Sequence, residues 1–177
     1  MEIIVENTSF ESEGFKLLGR VYRPEKPGRY PAVAICHSYP GDNKNIDLAE
    51  ELALNDIVAL IFYYRGAWGS EGQFRLRDLE LSTRDAVEHF LSFPYVDGSR
   101  IGLIGYSMGA VPAAARLSSD PRLKAGVFIS PASDLGALAP RESLDAVVPM
   151  FINMGKGKLA GLEAVAVKED LLWILDN

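Results

Sequence analysis

The sequence predicts an α/β fold: a mostly parallel sheet with flanking helices. Three observations point there. Short, continuous apolar runs recur along the chain, segments of helical apolar spacing separate them, and a β-rich hairpin pattern precedes them all. Apolar runs without alternation suit strands covered on both faces, which helices on either side of a parallel sheet provide. The 177 residues suffice for one domain with a core, and 48% hydrophobic against 24% charged residues is a globular balance that argues against disorder.

In chain order, residues 3–10 and 15–22 read as an antiparallel hairpin at a sheet edge, turning at Glu13-Gly14. Pro24, Pro27, Gly28 and Pro31 then mark a connecting loop. Residues 32–36, 57–63, 101–106 and 125–130 are the four runs expected to be parallel strands. Ile46, Leu48, Ala49, Leu52 and Ala53 keep helical spacing, as do Leu79, Ala86, Val87, Phe90 and Leu91; these are the crossover helices. A small-residue helix opens at Ala110, and Pro112 within it predicts a local kink. After residue 131 the pattern changes to Gly, Pro and amphipathic pieces, including a helix over about 163–175. The expected division is therefore a core over residues 1–133 and the start of a helical lid or cap over 134–177.

Composition excludes several classes of function. Eighteen Lys and Arg against twenty-four Asp and Glu leave a net charge of -6, so no basic surface offers itself to a phosphate backbone and nucleic acid is not an expected partner. One Cys and two His exclude a disulfide framework and a Cys/His zinc site; no metal and no cofactor are expected. No apolar run reaches membrane-spanning length, and the first ten residues lack a basic-then-apolar signal. The expectation is a soluble, cytoplasmic protein without a membrane partner.

The chemistry is concentrated at Gly105-Tyr106-Ser107-Met108-Gly109. A G-x-S-x-G match alone is weak, but this one follows a predicted strand and precedes a predicted helix, the context the motif requires. A tight strand-to-helix turn holds the serine in a sparsely populated backbone conformation and projects its Oγ above the sheet, while the glycines allow close approach. Ser107 is the candidate nucleophile. The helix N-terminus leaves the Met108 N–H free to stabilise an oxyanion, and the loop His37-Ser38-Tyr39-Pro40-Gly41 is placed to supply the second donor through the Tyr39 N–H. The Tyr39 ring is a further candidate hydrogen-bond donor to a substrate carbonyl. Gly102, Gly105 and Gly109 do not have the G-x-G-x-x-G spacing, and no acid ends a strand about 20 residues later, so dinucleotide binding is set aside.

Taken together, HSYPG at 37–41, FYYRGAWGSEG at 62–72, GYSMG at 105–109 and the strand ending Ile129-Ser130-Pro131 resemble the α/β-hydrolase-fold serine hydrolases near dienelactone hydrolase and the acyl-peptidases. The resemblance covers roughly residues 10–134 and departs from the family at Ser38, where Gly is usual. It implies hydrolysis of small carboxyl esters, thioesters or acyl-peptides without a cofactor, and a triad in the chain order Ser, acid, His. No His follows Ser107, so the final strands bearing acid and base are expected to be absent and the isolated chain weak or inactive.

Substitutes are scarce. His37 belongs to the oxyanion loop in the family, and His89 reads as a surface residue off its helix's apolar stripe. Cys36 points away from His37 if both lie on one strand, and reads as a core thiol. Asp134 stands where some hydrolases of this fold carry the triad acid; a helix cap is the plain alternative. Trp68 is a candidate for the acyl pocket wall, with the alternative that Arg65 and Glu71 brace the glycine-rich loop as an ion pair. A non-catalytic binding or interaction module is the competing function, because a last strand left uncovered would offer a sheet edge to another chain, including a second copy.

Overall fold

The structure is a computed structural model that describes residues 2–40, 45–132 and 134–176; Gly41 of the oxyanion loop and the expected boundary at residue 133 lie outside them. β1 (Ile3–Ser12) and β2 (Phe15–Pro24) form the expected antiparallel hairpin, with Ser12 opposite Phe15. Its two-residue turn puts both Glu13 (φ 50°) and Gly14 (φ 81°) in the left-handed region, the backbone that matches strand twist. β3 (Tyr30–Cys36), β4 (Val58–Phe62), β5 (Val96–Tyr106) and β6 (Leu123–Ile129) follow, and the sheet order is β1-β2-β4-β3-β5-β6. β2 meets β4 antiparallel, while β4, β3, β5 and β6 run parallel.

Alternation along the central strands sends side chains into two separate cores. Ala34, Cys36, Leu60 and Phe62 face one side, where α2 (Leu79–Leu91) contributes Ala86, Val87 and Phe90. Ile35, Ala59 and Ile61 face the other, where α1 (Ile46–Leu54) contributes Ala49 and Ala53. Both faces are thus covered, which explains why all five residues of β4 are buried and why the strand reads as an unbroken apolar run.

α3 (Ala110–Ser119) follows β5. Pro112 is its third residue, within the first turn, where the N–H groups have no partner inside the α-helix. The expected local kink therefore loses its cause, a lost helix hydrogen bond; the irregularity is instead a 3₁₀ turn over Ser107–Gly109 ahead of α3.

After β6 come α4 (Leu135–Leu138), α5 (Leu144–Gly155) and α6 (Ala164–Asp176). α5 and α6 pack on the face that carries α2, with Leu144, Val148, Val167 and Leu171 joining the larger core. Among the described residues no helix is long and apolar enough to cross a membrane. Among the described residues β6 pairs with β5 alone, and it is largely exposed, with Val127 at 52% and Phe128 at 39% of full accessibility.

Candidate active site

β5 ends at Tyr106 in extended backbone, and Ser107 then turns to φ 51°, a conformation an L-residue adopts only under constraint. The constraint is close packing on both sides. A Cβ at Gly105 would lie 2.5 Å from the Ala110 Cα, and one at Gly109 would lie 2.1 Å from the Cys36 carbonyl oxygen. Both glycines are sterically obligatory, and between them Ser107 is left half-buried on the wall of a cavity of about 330 Å³. The Ala132 N–H, just past β6, donates to the Ser107 carbonyl at 3.2 Å and fixes the turn from outside. Met108 is buried at the start of the 3₁₀ turn, where its N–H is among the first of the helical segment.

Tyr39 lines the same cavity, but its hydroxyl donates to the Phe151 carbonyl of α5 at 2.7 Å. That proton is committed to α5 and not left free for a substrate carbonyl. Burial raises the phenol well above its usual range. The Trp68 indole N–H donates to the Pro40 carbonyl at 3.1 Å, and Trp68 is not among the residues lining the cavity; it shapes the oxyanion loop from behind instead of walling an acyl pocket. Nor do Arg65 and Glu71 pair. Arg65 reaches Asp78 at 3.3 Å and lies over the Phe15 ring, whereas a Glu71 carboxylate oxygen accepts the Lys16 N–H at 2.9 Å. The glycine-rich loop is held to β2 through Glu71 and to the turn before α2 through Arg65, separately.

The lid attachment is backbone to backbone. Ala67 bridges Leu159 antiparallel, the Ala160 N–H donates to the Gly66 carbonyl at 2.7 Å, and the Phe74 N–H donates to the Ala160 carbonyl at 2.8 Å. A side-chain clamp adds to it: Asp170 of α6, 2% exposed, accepts from the Arg75 guanidinium at 2.7 Å and from the Leu76 N–H at 2.8 Å. Sequence reading missed this clamp, since an acid within an amphipathic helix gives no sign that it faces inward. It also did not name Met150, Phe151, Met154 and Trp173, which α5 and α6 bring to the cavity; their placement on a lid was the only available signal.

Neither imidazole is among the residues that line the Ser107 cavity. His37 is 1% exposed; its Nδ1–H donates to the Ser38 carbonyl at 2.8 Å and its ring packs 4.4 Å from that of Tyr64. Burial lowers its pKa to about 4. His89 is half-buried, not a surface residue: Nε2 is 2.7 Å from the Thr8 hydroxyl and the ring stacks on Phe10, so it braces α2 against β1. Cys36 is fully buried, and burial pushes its thiol up to about 12, as befits a core residue. Asp134 is exposed and accepts the Ala137 N–H at 2.8 Å, an N-cap of α4.

A sheet in this order, carrying a constrained serine where β5 meets its helix, is the α/β-hydrolase scaffold. More narrowly, the dienelactone hydrolase family model matches residues 17–156, and the chain belongs to that family. It is 32% identical over 138 residues to the thiohydrolase apmlB of Arthrinium phaeospermum, covering 72% of this chain and 43% of that protein. It is 28% identical over 134 residues to the quorum-quenching protein AidA of Acinetobacter baumannii, covering 72% and 44%. The crystal structure of the α/β hydrolase GrgF from Penicillium superposes with a TM-score of 0.73 at 22% identity, over 85% of this chain and 53% of that one. The chain thus spans about two-fifths of the length of the curated relatives it matches.

Proposed function

We propose that the chain is the nucleophile-bearing portion of a serine hydrolase for carboxyl esters, thioesters or acyl-peptides. Ser107 attacks the acyl carbon, and the backbone N–H groups of Met108 and Tyr39 receive the developing oxyanion. The observation that carries this reading is Ser107 at φ 51° between two obligatory glycines, opening on a cavity. A thiohydrolase among the relatives is consistent with acyl transfer to water. Asp134 is the acid this reading carries, in the segment after β6, with no imidazole assigned to join it to Ser107. With neither His37 nor His89 assigned as base, the Ser107 proton passes to water as the acyl-enzyme forms and the alcohol, thiol or amine leaves, a second water then releases the acid, and this chain turns over slowly, sustained by the oxyanion donors and by binding. Hydrolysis of p-nitrophenyl butyrate is the test. Slow release that disappears in Ser107→Ala is expected, and a rate unchanged by that substitution overturns the assignment.

The exposed β6 favours a second reading, an α/β-hydrolase-like module that binds another chain along this edge and not a substrate. Concentration-dependent sedimentation supports it; a monomer at every concentration counts against it.

A further inference from the structure

We propose that the Ser107 cavity selects an apolar, uncharged acyl group of roughly eight to twelve carbons; this deepens the hydrolase reading and rests on it only for the reacting end. The cavity of about 330 Å³ has room for roughly ten methylene-sized groups at interior packing density. Part of its wall comes from α5 and α6, through Met150, Met154, Leu171 and Trp173, and part from Val111 and Pro112 of α3. Thioether side chains adapt their shape to a flexible chain at little strain.

Each charge on the wall has an opposite charge beside it, Arg77 sharing Asp170 with Arg75. Arg77 and Glu80 are the charged residues among the described lining. Arg77 lies 3.5 Å from Asp170, and Glu80 accepts from Arg116 at 3.3 Å. A substrate carboxylate entering here would lose its water against methionine and indole, and would have to compete with Asp170 for Arg77. The rim is apolar as well: Val111, Met150, Met154 and Trp173 are 39%, 50%, 45% and 47% exposed around one opening. Four large apolar side chains left in water at one mouth are explained together by a chain that lies across them.

The methionines provide the readout, because three of the four in the sequence, Met108, Met150 and Met154, line this cavity. In Ser107→Ala, which removes turnover, ¹³C-methyl methionine NMR follows titration with methyl butanoate, octanoate and decanoate and with the monomethyl ester of muconic acid, a carboxylate. Expected are shifts of these methyl signals, a Kd falling roughly threefold per added methylene, and at least hundredfold weaker binding of the carboxylate than of the decanoate. The exposed-site variant Met154→Lys keeps the fold and flattens the chain-length dependence. Affinity independent of chain length, tighter binding of the carboxylate, or unperturbed methyl signals overturns the proposal. Binding is read without chemistry, so failure here leaves Ser107-dependent hydrolysis intact, and failure of that hydrolysis leaves this result intact.

Discussion

At position 109 a Cβ would stand 2.1 Å from the Cys36 carbonyl, so the glycine that ends the serine motif is fixed by the neighbouring strand and not by the reaction. This much was legible, because the motif encodes sterics that any strand-turn-helix of this shape obeys. The direction of the Tyr39 hydroxyl was not, since its acceptor, the Phe151 carbonyl, is 112 residues away. His37 shows the same limit: its place in the loop was readable, its burial only from the fold. That burial predicts a pH dependence. With a folded pKa of about 4 against an ordinary 6.5, His37 is neutral in both states at pH 7, and its contribution to stability is fully present above pH 6.5. As pH falls from 6.5 to 4 the unfolded chain takes up a proton that the folded chain refuses, and about 3 kcal/mol is lost. Urea midpoints between pH 7 and 4 should therefore fall more steeply for the wild type than for His37→Gln. Parallel curves would show that His37 does not titrate in this way.

Elements were more legible than their attachments. The hairpin, the crossover helices and the lid helix stand where periodicity put them, because each buries a stripe set by its own sequence. β5 begins at Val96 and not at 101; its early residues are anchored where Tyr30 pairs with Val96, a contact between strands that periodicity within one strand does not show. Likewise α6 is docked by Asp170, which meets Arg75 across 95 positions of sequence. Breaking a pair this buried leaves the Arg75 guanidinium with only the exposed Glu169, at 3.4 Å. Asp170→Ala should destabilise the chain by about 2–3 kcal/mol and raise amide hydrogen exchange across Ala164–Asp176. Protection unchanged in α6 would show that apolar packing alone holds the lid.

For the whole molecule, the alternation of runs and helices made the largely parallel sheet legible, whereas the strand order β1-β2-β4-β3-β5-β6 is set by pairing between strands, which no single run displays. Two apolar residues of one strand, Val127 and Phe128, remain exposed beside unpaired backbone groups, and self-association through them should weaken in Val127→Lys, measured as a shift towards monomer by sedimentation. An unshifted profile would place any association elsewhere.

The proposed function requires that the elbow at Ser107 be assembled for nucleophilic attack. Its most direct test is incubation of the chain with a fluorophosphonate, followed by intact and peptide mass spectrometry beside Ser107→Ala. The account predicts a slow, single adduct on Ser107 that the variant lacks. A folded chain that stays unlabelled, or labels equally in the variant, would contradict it.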